Sequence, residues 1–356
     1  MDSNKIVQSF WYSKDEGCNY LSSIELLCIA SYLAHGHEFH LYTYTPNDAS
    51  MHFLQEQLKE CKNYENFVLK NACEILPKSE IFFDDRGSVG IAAFSDYFRF
   101  QLLYQKGGWW VDMDTICLRP LDFENPYVFA TERKGEGIED GAATCMIKAP
   151  KESEFLAILL KKAQTILQKE FGTVFKLKQF STNTMIGILL NRLIKKIPNY
   201  IARLIREDEY YPRRVHWGVI GPAFLEEMLQ EHSQYKRYLS PPSHFCEINY
   251  YEAKDFIEKL DFPQGKEMYV MHVWNAMWEA HRLPKDVRYA KDSLIEQLRQ
   301  QYVPRSILEQ LPSFEEIFSL SPPPPENGSL ALEQDSLPLR LARRIYRTIK
   351  KFLMHM

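Results

Sequence analysis

An α/β fold built on a parallel sheet is the class this sequence predicts, on three observations. Residues 5–45 read strand, helix, strand, the unit that sets two parallel strands side by side. Residues 94–114, FSDYFRFQLLYQKGGWWVDMD, read helix, glycine stop and strand. At 356 residues, 45% hydrophobic and 25% charged, the chain is long enough for one large α/β domain with insertions.

Lys5 to Tyr12 is the first strand. Ser22 to Glu25, S-S-I-E, has capping-box spacing and opens a helix whose apolar residues keep helical period to about Ala34. Glu38 to Thr45, EFHLYTYT, alternates as a second strand. A ligand of such a sheet sits beyond the strand C-termini, so Phe10 and Trp11 stand either to meet a base or to pack in the core. His35, His37 and His40 are split between a helix end and a strand start, with no cysteine or carboxylate to complete a tetrahedron, which argues against zinc. Residues 51–77 read as a helix and an extended piece ending Ile75-Leu76-Pro77, and Asp84-Asp85-Arg86-Gly87 as a solvated loop.

In the central helix, Phe94, Phe98 and Leu102 form one apolar stripe. Asp96, Arg99 and Leu103 share a neighbouring face, because residues three or four apart stack, so Asp96 and Arg99 can point at one ligand. Gly107 and Gly108 end the helix, since glycine takes the left-handed backbone that a helix terminus needs, and Trp109, Trp110 and Val111 are strand formers. If the strand continues, Asp112 and Asp114 project to one side and Met113 to the other, before Thr115 and Arg119-Pro120 take the chain out of it. Paired carboxylates at a strand end suit a hard divalent cation, which leaves its remaining positions to water and phosphate oxygens. The D-x-D pattern alone is weak: with Asp about a quarter of the ~25% charged residues of an ordinary chain, about one is expected by chance in this length. Its weight comes from the D-x-x-R pair, the glycine stop and the aromatic strand directly before it.

Tyr127 to Glu132 and Ala142 to Lys148 read as strands around a carboxylate-rich glycine loop that carries Glu139 and Asp140. Residues 151–210 form a mostly helical insertion, with apolar residues at helical spacing in EFLAILLKKAQTIL and NTMIGILLNRLIKKI. Gly221-Pro222 opens the helix AFLEEML, proline being favoured in a first turn. Val270 to Asn275, VMHVWN, is a strand with His272 and Trp274 on one face, from which a neutral imidazole could reach a metal or diphosphate opposite Asp114.

These motifs, in this order over roughly residues 5–282, resemble the DXD sugar-transferases, the family 32 glycosyltransferases. That family includes α1,4-galactosyl and α1,4-N-acetylglucosaminyl transferases and bacterial capsule and lipopolysaccharide enzymes, and the clostridial glucosylating toxins share its core. The resemblance implies a GT-A fold with a Rossmann-like nucleotide-binding sheet, a UDP-sugar donor, Mn2+ or Mg2+, and retention of anomeric configuration. By position it implies that Asp96 and Arg99 touch the donor sugar, Asp112 the ribose and sugar, and Asp114 the metal and diphosphate. It also implies that Phe10 and Trp11 meet uracil and that Trp110, Met113, His272, Trp274 and Asn275 line the donor, with His272 joining Asp112 and Asp114 on the metal. The family often has Tyr where Trp110 stands, and Ser240 to Ile248 is similar to its proline-to-aromatic strand leading to the last motif. The resemblance also implies an acceptor cleft near Glu139 and Asp140, which are candidate acceptor contacts or plain loop residues, and Asp140 is the carboxylate nominated for a supporting catalytic role.

The net charge of −4 argues against nucleic acid as the main partner, since phosphate binding is carried by surplus Lys and Arg. Seven scattered cysteines, with no C-x-x-C pair, fit reduced thiols and a cytoplasmic setting. No apolar run approaches the ~20 residues of a spanning helix. The expected organisation is a catalytic domain over 1–320, a proline-rich linker over 321–335 and a basic amphipathic helix over 336–356. In that helix Leu341, Ile345, Ile349 and Phe352 form a stripe among six Arg and Lys, suited to an anionic membrane surface or to docking on the domain. The expected activity is hexose or N-acetylhexosamine transfer from a UDP-sugar to a glycan or lipid-linked saccharide in surface polysaccharide synthesis. The alternatives are a toxin-like transferase acting on a protein hydroxyl, a non-catalytic sugar-nucleotide binding module and a metal phosphohydrolase, the last needing more His and Asp ligands than are present.

Overall fold

The computed structural model describes residues 4–12, 20–84, 90–135, 139–182, 213–258 and 267–314, with backbone alone for 171–182 and 213–214. The chain divides into two units, Met1–Thr173 with Pro212–Phe318, and Val174–Tyr211 with Ser319–Met356. Of the second, only the backbone of 174–182 is described. The expected NTMIGILLNRLIKKI helix, the 321–335 linker and the 336–356 helix lie outside the described residues.

In the first unit the chain runs β1 (Ile6–Trp11), α1 (Ser23–Ala34), β2 (Glu38–Thr43), α2 (Ala49–Leu58), β3 (Phe67–Asn71), β4 (Phe82–Asp84), α3 (Ala92–Lys106), β5 (Gly108–Val111), β6 (Thr115–Cys117), β7 (Val128–Glu132) and β8 (Gly141–Ala149). It continues through α4 (Glu154–Thr182), β9 (Arg213–Val215), α5 (Pro222–Glu231), β10 (Val270–His272), α6 (Asn275–Ala280) and α7 (Leu294–Tyr302). Six strands form the main sheet in the order β3-β2-β1-β5-β8-β7. The first four are parallel, and β8 pairs antiparallel with both β5 and β7. The expected α/β class with a parallel-rich sheet is therefore what the chain adopts. The chain moves outward from β1 through β2 to β3, then returns to place β5 on the other side of β1. The order reverses between β1 and β5, and in open α/β sheets ligands bind beyond the C-terminal ends of the strands at such a reversal.

Both faces of this sheet are covered. Val7, Phe39, Leu41, Trp109 and Val111 pack in one apolar cluster with α1, α7 and β10, while Phe10, Tyr42 and Trp110 pack in a second with α3, α4 and α5. Alternation along a strand sends successive side chains to opposite faces, which is how WWV can be buried throughout. The glycine stop is where the sequence puts it. Gly107 and Gly108 both have positive φ, and a Cβ on Gly107 would stand 2.6 Å from the Lys151 backbone nitrogen. That reversal carries α3 directly into β5.

Three expectations change. The extended piece before Pro77 contains a third parallel strand, β3, which sequence alternation did not single out because its side chains are only half-buried at the sheet edge. Asp84 is not solvated: it ends β4, is buried, and accepts from the Ala93 N–H in the first turn of α3. The proline-to-aromatic strand after Ser240 is instead a short helix, Pro242–Phe245, with Pro242 in its first turn. No helix among the described residues is long and apolar enough to cross a membrane.

Candidate active site

Strand β5 ends at Val111, so Asp112, Met113 and Asp114 lie in a turn rather than on a continuing strand. The sequence expectation fails here because Thr115–Cys117 starts a second strand, β6, which leaves the main sheet and pairs antiparallel with β10. The turn is closed by the Thr115 N–H and hydroxyl, both donating to the Asp112 carbonyl, at 3.2 and 2.7 Å. On one side the Asp112 N–H donates to Cys145 O of β8 at 2.8 Å, and on the other the Val273 N–H donates to Asp114 O at 2.8 Å. The turn thus bridges two sheets at the end of β5, and its two carboxylates converge without strand alternation.

Asp96 and Arg99 face together as their spacing predicts. Arg99 is buried; one terminal nitrogen lies 3.0 Å from Asp96 Oδ1 and donates to Thr144 O at 2.8 Å, while the other is 3.1 Å from Asp112 Oδ1. The guanidinium also lies 4.9 Å over the Trp110 ring. Burial pushes the Asp96 carboxyl up to about 7, against the opposing charge of Arg99 and with that of Asp112. Burial likewise raises Asp112, with Arg99 working against it. Gly221, which caps α5, backs this group: a Cβ there would meet Asp96 Oδ2 at 3.0 Å.

Asp114 has a separate set of partners. His272 Nε2 is 3.3 Å from Asp114 Oδ1, and the Asn275 N–H donates to Asp114 Oδ2 at 2.7 Å. Burial would raise this carboxyl, but the His272 charge and hydrogen bond, the Asn275 N–H and Lys285 bring it down to about 2. Burial in turn works to lower His272, and Asp114 outweighs it, so the imidazole is held well above the usual histidine range. His272 therefore sits on Asp114 rather than opposite it. On the ring's other side, Cys246 Sγ is 4.0 Å from Nδ1 and 3.6 Å from Cys145 Sγ. Trp274 is not on a strand face, because β10 stops at His272; its backbone is left-handed, φ 62° and ψ 59°. The ring still meets His272, centroids 3.9 Å apart, held by an indole N–H donated to Ile248 O at 2.7 Å.

Two residues behind this set escape a reading of spacing. Glu25 does close the expected capping box, Oε2 accepting from the Ser22 N–H at 2.7 Å. Its other oxygen accepts from Asn275 Nδ2 at 2.7 Å and lies 3.2 Å from Lys285 Nζ. The buried rank of Glu25 is not visible in a capping-box pattern, and nothing local marks Lys285, which is 260 residues away.

The remaining expected residues divide. Phe10 belongs to the core, stacked on Phe98 with centroids 4.4 Å apart, and does not face a base. Trp11, at the end of β1, is half-buried, and its buried indole nitrogen has no hydrogen-bond partner among the described residues. Trp110 is fully buried, and its indole N–H goes to Asp112 Oδ1 at 2.7 Å, so it positions a carboxylate instead of lining a ligand. The Met113 side chain packs in the core. Glu139 and Asp140 are exposed beside β8. Asp140 lies five positions before Cys145 on an extended strand, roughly 16 Å away, so the fold does not bring it to the paired carboxylates.

The donor set fits a hard divalent cation. One ligand atom from each of Asp112, Asp114 and His272 lies within 4.8 Å of the others. Adjacent ligands of an octahedral ion at ~2.1 Å stand about 3 Å apart, close to the His272–Asp114 spacing. Asn275 Oδ1 is buried beside Asp114 with no hydrogen-bond partner among the described residues, and its amide orientation is fixed by Glu25.

Residues 40–131 match the family described as a glycosyltransferase sugar-binding region containing a DXD motif. The match takes in Asp96, Arg99, Asp112 and Asp114 and stops before β8. No protein of curated function matches the sequence. Among solved structures, the chain is similar to the glycosyltransferase GlyE of Streptococcus pneumoniae TIGR4, at 13% identity and a TM-score of 0.39, over 91% of this chain and 66% of that one. It is also similar to the UDP-bound glycosyltransferase domain of the YGT toxin, at 9% identity and 0.38, over 90% and 99%. The PaToxG glycosyltransferase aligns at 10% identity and 0.36, over 65% and 70%.

Proposed function

We propose, from the premise that this chain carries the DXD-containing sugar-binding region of a glycosyltransferase, that it moves a hexose or N-acetylhexosamine from UDP to a saccharide hydroxyl with retention. The observation that carries this reading is the convergence of Asp112, Asp114 and His272 beyond the C-terminal end of β5, where the strand order of the sheet reverses. Those three side chains would hold Mn2+ or Mg2+, with Asn275 Oδ1 as a further oxygen near them. What the ion supplies when bound is positive charge against that developing on a leaving diphosphate.

The chain's own residues have distinct tasks in this reading. Trp11, whose buried N–H at the end of β1 has no partner among the described residues, offers it to the uracil. Arg99, already engaged by Asp96, Asp112 and Thr144 O, orients the two carboxylates that face the donor sugar, a positioning task in place of the sugar contact that the resemblance implies. As a ligand His272 would be neutral, so a bound ion would take the place of the proton that Asp114 favours on the imidazole. In transfer the bond from the anomeric carbon to the diphosphate oxygen breaks, the acceptor oxygen bonds to that carbon, and its proton passes to the leaving phosphate. No side-chain base is required.

The setting proposed is the inner face of a membrane, where residues 336–356 hold the enzyme on anionic lipid near lipid-linked acceptors. The experiment for the activity is UDP release from a panel of UDP-hexoses and UDP-N-acetylhexosamines, with and without EDTA. Release from at least one donor, abolished by EDTA and restored by Mn2+, is expected; release unaffected by EDTA would overturn the metal-dependent reading.

A further inference from the structure

Beside the carboxylate cluster an aromatic surface continues outward from Trp274. Tyr250 and Tyr251 open a single helical turn, Tyr250–Glu252, and remain 40% and 52% exposed. Their rings stand edge to face, centroids 5.2 Å apart at 81°. Tyr250 also meets Trp274 edge to face at 6.1 Å, and Trp274 lies on His272. A line of rings therefore leads from the imidazole beside Asp114 out to solvent.

This line is held in place. The Asn249 N–H donates to Glu252 Oε2 at 3.0 Å, and Asn249 Nδ2 donates to the Tyr251 hydroxyl at 2.7 Å, which fixes the outer phenol although its face is exposed. At the inner end, Trp274 keeps a left-handed backbone that a bulky side chain rarely takes. Such an outlier persists only where its surroundings enforce it, and here the indole N–H to Ile248 O and the Asn275 N–H to Asp114 do so. Large rings that are both exposed and immobilised have a low ordering cost on binding. Carboxylate and guanidinium groups flank them: Arg133 donates to Glu247 O and Oε2, at 2.7 and 2.9 Å, one residue before Ile248.

We propose that Tyr250 and Tyr251, continued inward by Trp274, form the acceptor subsite and take a pyranose sugar, stacking its C–H face on the rings while its hydroxyls meet the polar rim. The inference rests on the glycosyltransferase reading of the adjacent cluster. It differs from the expectation that Glu139 and Asp140 meet the acceptor. A saccharide fits the surface because pyranoses present one apolar face and a polar edge, matching rings with polar tips. A lipid chain would need a wider apolar groove than two phenols provide.

Saturation-transfer NMR with the methyl glycosides of glucose, galactose and N-acetylglucosamine, in the presence of UDP and Mn2+, tests this. At least one glycoside is expected to receive saturation on its ring C–H protons from the wild type. Tyr251→Ala and Tyr250→Ala should reduce that transfer at least fivefold, and Tyr251→Phe, which keeps the ring but loses the hydroxyl that Asn249 holds, should lose less than Tyr251→Ala. Melting temperature of each variant separates loss of the subsite from loss of fold. Calorimetry of UDP with Mn2+ on the wild type reads the donor assignment independently, so its failure is distinguishable from failure of the subsite. Absence of transfer to every glycoside in the wild type, or undiminished transfer in folded Tyr250→Ala and Tyr251→Ala proteins, would overturn the proposal.

Discussion

Arg99 stands between two carboxylates that would otherwise repel, and this explains why Asp96 can be 7% exposed and Asp112 can share its guanidinium. The D-x-x-R spacing made the Asp96–Arg99 pair legible, because helical period alone puts both on one face. The third partner was not legible, since Thr144 and Cys145 reach the site through the β5–β8 register, which no local pattern encodes. The network has a pH signature. Asp96 titrates near 7 in the folded chain against ~3.9 when unfolded, so between these values the folded state holds the extra proton. Its contribution to stability is present at low pH, declines as pH rises from about 4, and is gone above about 7, with a slope of at most about 1.4 kcal/mol per pH unit. Asp96→Asn should therefore flatten the melting-temperature profile of the ligand-free protein between pH 4.5 and 7.5. Parallel profiles for wild type and variant would mean that Asp96 titrates normally.

The N-terminus of α1 does two tasks with one carboxylate. Ser22 and Glu25 cap the helix, as S-S-I-E predicts, while Glu25 also fixes the Asn275 amide. The first task is local and was readable; the second joins residues 250 apart in sequence and was not. The two come apart by mutation. Ser22→Ala should cost about 1 kcal/mol of stability, the usual loss of an N-cap, and leave UDP affinity in Mn2+ unchanged. Glu25→Ala should lose stability and also weaken UDP binding about tenfold or more, because Asn275 is freed beside Asp114. Chemical denaturation and calorimetry on both variants decide it, and undiminished UDP affinity in Glu25→Ala would restrict Glu25 to capping. The turn at Asp112–Asp114 shows the same limit from the other side. D-x-D reads alike in a strand and in a turn, and only the distant β10 partner of β6 settles which it is.

Across the whole molecule, the sheet was legible where hydrophobic period was strong, in β1, β2, β5, β7 and β8, and was missed at the half-buried edge strand β3. Buried strands with both faces covered still placed Trp11 and Asp112 at the ends of neighbouring β1 and β5, which turned two unconnected motifs into one crevice. The C-terminal residues 336–356 rest on sequence alone, and their proposed attachment is separable from the chemistry. Deleting residues 326–356 should leave UDP-sugar hydrolysis intact and abolish sedimentation with phosphatidylglycerol vesicles, while wild-type binding weakens with added salt as screening shortens the reach of six basic residues. An insoluble deletion, or a full chain that ignores vesicles at low salt, would assign the helix to the fold instead. The central claim, a diphosphate bound through metal at the Asp112–Asp114 turn, is tested most directly by calorimetry of UDP with Mn2+ on wild type and Asp114→Ala. The account predicts micromolar-range binding by the wild type that requires Mn2+, and loss of at least ~2.7 kcal/mol, a hundredfold, in a variant that still melts cooperatively. Equal UDP affinity in the two proteins would contradict it.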